Sequence, residues 1–240
     1  MKTILITGAS SGIGAATARL FLEQGWTVGL MARRAEALAD VAADHPNSHV
    51  LPGDVTRPDD AAQVVADFAD LAGGINVLFN NAGIFVPAAP IDETRIEDWN
   101  TAVSVNLTGM FLMARAAFAR MRTQGGGRII NNGSISAHVP REGAVTYTVT
   151  KHAITGLTKQ LALDGRALGI ACGQIDIGNA RTPMLEALDA AQRDAGGDGV
   201  AMMNVEDAAR AVLHMASLPP EANVLTMTIM ANGMPYVGRG

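Results

Sequence analysis

The chain holds a single cysteine, Cys172, in 240 residues. That excludes an internal disulfide and suits a reducing compartment. Cys172 falls within an apolar stretch, which fits a buried structural thiol better than a nucleophile. Charge is scarce at 17% of residues, and the charge-dense polar runs that leave a segment disordered are absent. The formal net charge is -5 with no basic cluster, which argues against a nucleic-acid partner. The five histidines and the carboxylates show no metal-ligand spacing, so no metal is expected. No uninterrupted apolar run is long enough to span a bilayer, and no charged leader with a cleavage site precedes the first apolar run. A cytoplasmic protein without a membrane partner is the expectation. No linker, repeat or low-complexity stretch divides the chain, which predicts one domain over residues 1–240.

What the chain does have is alternation. Apolar, β-branched runs at 2–7, 26–32, 48–52, 76–80, 128–132, 170–177 and 224–230 read as strands. Helical stretches at 15–24, 34–43, 58–71, 96–121, 145–168 and 205–217 lie between them. Pro58 stands at a first helical turn, where its fixed φ is tolerated. Strand and helix in strict succession predict a parallel sheet with right-handed crossovers. A hydrophobic fraction of 48% suits a sheet covered on both faces.

The first strand runs into Gly8-Ala-Ser10-Ser11-Gly12-Ile13-Gly14 before a helix begins. Glycines at such a turn let the backbone bend tightly and approach a diphosphate, which the helix N-terminus stabilises. No Gly-Lys-Ser/Thr follows, so the turn is not a P-loop. Far downstream, Tyr147 and Lys151 stand four apart, one helical turn, with Ser134 upstream of them. A free phenol has a pKa near ~10 and exchanges protons poorly at neutral pH. A neighbouring cation favours the phenolate. Reaching neutrality takes roughly three units, or about 4 kcal/mol, which a close ammonium and a positive cofactor ring can supply together.

Thr7 through Gly14, Asn80-Asn81-Ala82-Gly83, Asn106, Ser134 and Tyr147-x-x-x-Lys151 occur in the order of the short-chain dehydrogenase/reductase motifs. The chain resembles that family over nearly its whole length. The resemblance implies an α/β fold of Rossmann type, a doubly wound parallel β-sheet with helices on both faces in three layers. It also implies a nicotinamide cofactor and hydride transfer to or from a carbonyl or alcohol. By the same resemblance Tyr147 exchanges the proton at the substrate oxygen and Ser134 hydrogen-bonds that oxygen. Lys151 lowers the phenol's pKa and binds the nicotinamide ribose, and Asn106 anchors a water leading from Lys151 to solvent. Asp54 and Val55 match the adenine-contacting pair, and Asn81, Ala82 and Gly83 the turn beside the adenosine ribose. Where the family has Pro-Gly and then Thr, this chain has Ile177-Gly178-Asn-Ala180-Arg-Thr182. Ile restores an N–H and frees φ there.

About 20 residues past the glycine turn, where an NAD site places a carboxylate, the chain reads Ala32-Arg33-Arg34. Guanidiniums favour a 2′-phosphate, so NADP(H) is expected over NAD(H). A dinucleotide-sensing protein without catalysis is the alternative of another class, disfavoured by the retained Tyr147 and Lys151. His138 and Arg141, between Ser134 and Tyr147, are candidates to recognise a polar or anionic substrate group. The apolar flanks of 183–203, with Met184 and Leu185, and its central Gly196-Gly-Asp-Gly199 suggest a lid over a substrate with an apolar part. The long helices over 96–121 and 145–168 are, by family analogy, the surfaces of a homotetramer, with a dimer next.

Overall fold

The computed structural model of the chain describes residues 2–194 and 196–237, apart from the side chains of Met184 and Ala191. The sheet is built from β1 (Thr3–Thr7), β2 (Thr27–Ala32), β3 (Ser48–Pro52), β4 (Val77–Asn80), β5 (Gly127–Asn132), β6 (Ile170–Ile177) and β7 (Thr226–Ile229). All pair in parallel, in the spatial order β3-β2-β1-β4-β5-β6-β7. The strand order reverses direction between β1 and β4, and in open sheets of this kind ligands bind at that switch point, beyond the carboxyl ends of the strands.

Successive strand side chains point to opposite faces, and the core divides accordingly. Ile4, Ile6, Val77, Phe79 and Ile130 pack with α1 (Gly12–Glu23), α2 (Ala35–Ala42) and α8 (Val205–Ser217). Leu5, Leu78 and Ile129 turn the other way, against α3 (Pro58–Ala72) and α5 (Met110–Gln124). The same face meets Leu161 and Ala162 of α6 (Val145–Gly165). Cys172 is buried, as its apolar setting implies, and burial pushes its thiol up to about 12.

Three elements differ from expectation. The helix predicted over 96–121 is α4 (Ile96–Val103), a π-helical stretch Ser104–Gly109, and α5. Gly109 sits where a Cβ would stand 2.8 Å from Val55 Cγ2, and Asn106 turns inward within the widened turn. Helix α6 stops short of Leu168, giving way to a 3-10 turn at Arg166–Leu168. A Cβ on Gly165 would lie 2.3 Å from the Ile170 carbonyl oxygen, so helix end and strand start are packed backbone to backbone. The segment after Thr182 opens as a helix, α7 (Pro183–Asp194).

By length and composition the stretch Ile96–Gln124 could cross a bilayer, although its apolar residues are interrupted by Asn106, Arg115 and Arg120. In the fold Met113, Ala114, Ala117 and Met121 face the core, which makes it a helix of the sheet's covering layer.

Candidate active site

The carboxyl ends of the strands open into one cleft of about 970 Å³, at the upper end of the usual size for ligand sites. It passes over β3 at Asp54 and Val55, over β2 at Arg33 and Arg34, and over β1 at Gly8, Ser10, Ser11, Gly12 and Ile13. It continues over β4 at Asn81, Ala82 and Gly83, over β5 at Ser134 with Tyr147 and Lys151, and over β6 at Ile177, Gly178, Ala180 and Thr182. Of the residues expected from sequence, Gly14, Asn106 and His138 are not part of this lining.

The glycine turn is shaped for close approach. Gly8 and Gly12 have φ of 65° and 53°, and a Cβ on Gly14 would sit 2.3 Å from the Gly8 carbonyl oxygen. Ser11 makes no side-chain bond to the first turn of α1, so the amides there are left for an anion. The β4 turn is laced to it. The Asn81 and Ala82 N–H groups donate to Thr7 Oγ1 at 2.8 and 2.9 Å, and Asn81 Nδ2 donates to the Thr7 carbonyl at 2.9 Å. Asn132 Nδ2 in turn donates to Asn81 Oδ1 at 2.8 Å.

Arg33 and Arg34 are exposed at the end of β2, and the one acidic side chain in the described lining of the cleft is Asp54, beyond them at the β3 end, where it feels the charge of Arg33. Asp54 accepts from the N–H and hydroxyl of Thr56 at 2.9 and 2.8 Å. Burial pushes its carboxyl up, but these bonds and the charges of Arg33 and Arg57 together hold it below its ordinary value.

At the β5 end Lys151 donates to the Asn132 carbonyl at 2.7 Å and lies 5.5 Å from the Tyr147 ring centroid. Burial brings its ammonium down to about 8, against support from Asp176. Tyr147 is raised above its ordinary value by burial. The facing Ser134 hydroxyl and the charge of Arg141 work against that rise, and the Asp176 charge adds to it. The expected downward shift from Lys151 is therefore not present in the protein alone. The Tyr147 side chain is half-buried on the cleft wall, and the ammonium sits beside its ring. Phe85 stacks on Tyr147 with centroids 4.0 Å apart and 22° between planes. Asn106 clamps the loop before it, accepting from Ile84 N–H at 2.8 Å and donating to its carbonyl at 3.0 Å.

Beneath Ser134 lies a carboxylate that the sequence reading passed over. Asp176 is fully buried and accepts from the Ser134 N–H at 2.9 Å, Gln174 Nε2 at 2.6 Å and His138 Nε2 at 2.7 Å. Gly133 has no room for a side chain, since a Cβ would stand 2.1 Å from Asp176 Oδ1. The signal available was one Asp in an otherwise uncharged strand, Ile170–Ile177. His138 is thus engaged by the protein, while Arg141 lines the cleft.

The short chain dehydrogenase family matches residues 2–193. The chain belongs to it. Serine 3-dehydrogenase of Agrobacterium fabrum is 31% identical over 98% of this chain and 96% of its own length. The solved 3-ketoacyl-(acyl-carrier-protein) reductase of Brucella melitensis, complexed with NADH, is 25% identical with a TM-score of 0.87, covering 96% of this chain and 97% of that one. The closed form of a serine dehydrogenase complexed with NADP+ is 27% identical with a TM-score of 0.90, covering 99% and 98%. The protein is thus an oxidoreductase of the short-chain type built on a Rossmann-like parallel sheet, and members of this family use a nicotinamide dinucleotide. One neighbour holds NADP+ and the other NADH, so the choice between them rests on this chain's own residues.

Proposed function

We propose that the protein transfers a hydride between NADP(H) and a carbonyl or secondary alcohol, as a cytoplasmic enzyme. The observation that carries this reading is the meeting of Ser134, Tyr147 and Lys151 in the same cleft as the glycine turn. The residues present fit a dinucleotide. The left-handed glycines and free amides of α1 suit a diphosphate, Asp54 and Val55 the adenine, Arg33 and Arg34 a 2′-phosphate, and Lys151 the nicotinamide ribose. The backbone around Ile177 and Ala180 suits the carboxamide. The bound nicotinamide supplies or accepts the hydride, and its oxidised ring adds positive charge.

In reduction, negative charge builds on the substrate oxygen. Tyr147 gives that oxygen a proton, and the Ser134 hydroxyl stabilises it by hydrogen bonding. In oxidation Tyr147 takes the proton back. Lys151, with the positive ring, offsets the cost of forming the phenolate. Asn106 keeps the Ile84–Phe85 loop against Tyr147 and, as the family likeness implies, anchors the water that connects Lys151 to solvent. Leu185 lines the cleft as well, in keeping with a substrate that has an apolar part.

The test is Tyr147→Phe, assayed on a carbonyl panel at the nicotinamide absorbance. Removing only the hydroxyl is expected to lower turnover by about 10²–10⁴-fold, the range of general acid–base catalysis. NADPH should still bind the variant, and more tightly than NADH by about ten- to hundredfold, the worth of one charge-assisted contact. Turnover within a few-fold of wild type would reject Tyr147 as the proton donor. Equal NADPH and NADH titrations of wild type would reject the cofactor assignment.

A further inference from the structure

Over β5 and β6, the cleft is lined by two cations, Arg141 and Lys151, and by no carboxylate among the described residues. Asp54 lies across the glycine turn at the β3 end, and Asp176 is buried beneath the surface with three donors already on it. Lys151 is committed to the Asn132 carbonyl, and His138 to Asp176. Arg141 has no such engagement. Among the described residues its guanidinium makes no hydrogen bond and no ion pair, and the residue's own bond is from the Ala144 N–H to its backbone carbonyl. The side chain is half-buried on the cleft wall, where a charge is less screened than in bulk water and attracts an opposite charge more strongly. It stands close enough to Tyr147 for its charge to favour the phenolate.

We propose that Arg141 anchors a carboxylate on the substrate, so that the enzyme acts on a hydroxy acid or the matching keto acid with the reacting oxygen at Ser134 and Tyr147. The inference rests on the oxidoreductase reading above and names its substrate class. A planar guanidinium matches a carboxylate with two parallel N–H···O bonds. One free cation balances one carboxylate, whereas a phosphate monoester carries about −1.5 to −2 at neutral pH and would be left partly uncompensated. In the oxidative direction the carbinol carbon gives its hydride to the nicotinamide of NADP+, and the hydroxyl proton goes to the Tyr147 phenolate. The C–O bond becomes the ketone. The carboxylate makes and breaks no bond, and it fixes which face of the carbinol meets the cofactor.

The experiment compares short hydroxy acids with their methyl esters and with phosphate-bearing alcohols of equal length, in wild type, Arg141→Ala and Arg141→Lys. Wild type is expected to prefer acid over ester at least tenfold in kcat/KM. In Arg141→Ala that ratio should fall by about ten- to hundredfold, mainly through KM, and Arg141→Lys should recover part of it. Equal turnover of acid and ester by wild type, an unchanged ratio in Arg141→Ala, or a preference for the phosphate would each overturn the assignment. A second arm needs no turnover. Butanoate, which lacks a hydroxyl to oxidise, is followed by ligand-observed NMR on the NADP+-loaded proteins. Binding to wild type that is lost in Arg141→Ala supports the anchor even if no substrate in the panel reacts, which separates it from the oxidoreductase reading. No butanoate binding to wild type overturns it.

Discussion

Lys151 is nearly sealed from solvent, and burial lowers its ammonium from 10.5 to about 8. At about 1.4 kcal/mol per unit, keeping it charged at neutral pH costs the folded state about 3 kcal/mol relative to the unfolded chain. Below about 8 the group is protonated in both states and the cost is complete. Above 10.5 it is neutral in both and the cost is gone. Between these limits the unfolded chain binds more protons, so stability rises with pH. Lys151→Met removes the charge at similar length and should abolish turnover. Urea unfolding of both proteins from pH 7.5 to 10.5 should show wild type gaining about 3 kcal/mol on the variant across this window. A difference that stays flat would mean the ammonium is better solvated than its burial implies. Holding this ammonium in the cleft therefore carries a local stability cost, which the Asn132 carbonyl and Asp176 only partly offset.

The residues proposed for catalysis and cofactor binding could be singled out because their signal is local: a one-turn spacing for Tyr147 and Lys151, and a glycine pattern at a strand end. Asp176 was not, because its meaning lies in His138, 38 residues away in the chain, and in the space left by Gly133. The same distinction holds for elements. Alternating strands and helices announced a parallel sheet, but an apolar helix over 96–121 gave no sign of its π-helical stretch, which depends on the distant partners Ile84 and Val55. The segment from Pro183 to Met203 shows a third case. Its glycines suggested weak order, yet α7 forms, and Asp189 accepts from Val200 N–H and Arg193 Nε to fold the return onto the helix. What α7 lacks is anchorage, since none of its described side chains is buried. The expected cover by the Met184 side chain lies outside the described residues, while Leu185 does line the cleft. An element with little buried apolar surface opens at low free energy. Amide hydrogen exchange should therefore show residues 183–203 weakly protected in the free protein and markedly slower with NADPH and a substrate analogue. Equal protection in both states would make α7 a fixed part of the fold.

At the scale of the molecule, the apolar surface left over matters most. Ile96, Phe111, Val149 and Leu163 are exposed on α4, α5 and α6, the long helices that the family likeness pairs across two-fold axes. The membrane-like composition of Ile96–Gln124 has the same origin: one face meets the sheet, and the opposite face carries apolar side chains with no described cover. Exposed apolar side chains on these helices suit an association surface, and a symmetric pairing would place each such helix against its own copy. We expect a homotetramer, or failing that a dimer, by light scattering at micromolar concentration. Leu163→Asp, on the outward side of α6 and far in sequence from Tyr147, should shift the population to a smaller species without unfolding the monomer. A monomeric wild type, or a Leu163→Asp protein of unchanged mass, would count against helices α5 and α6 as the joining surfaces.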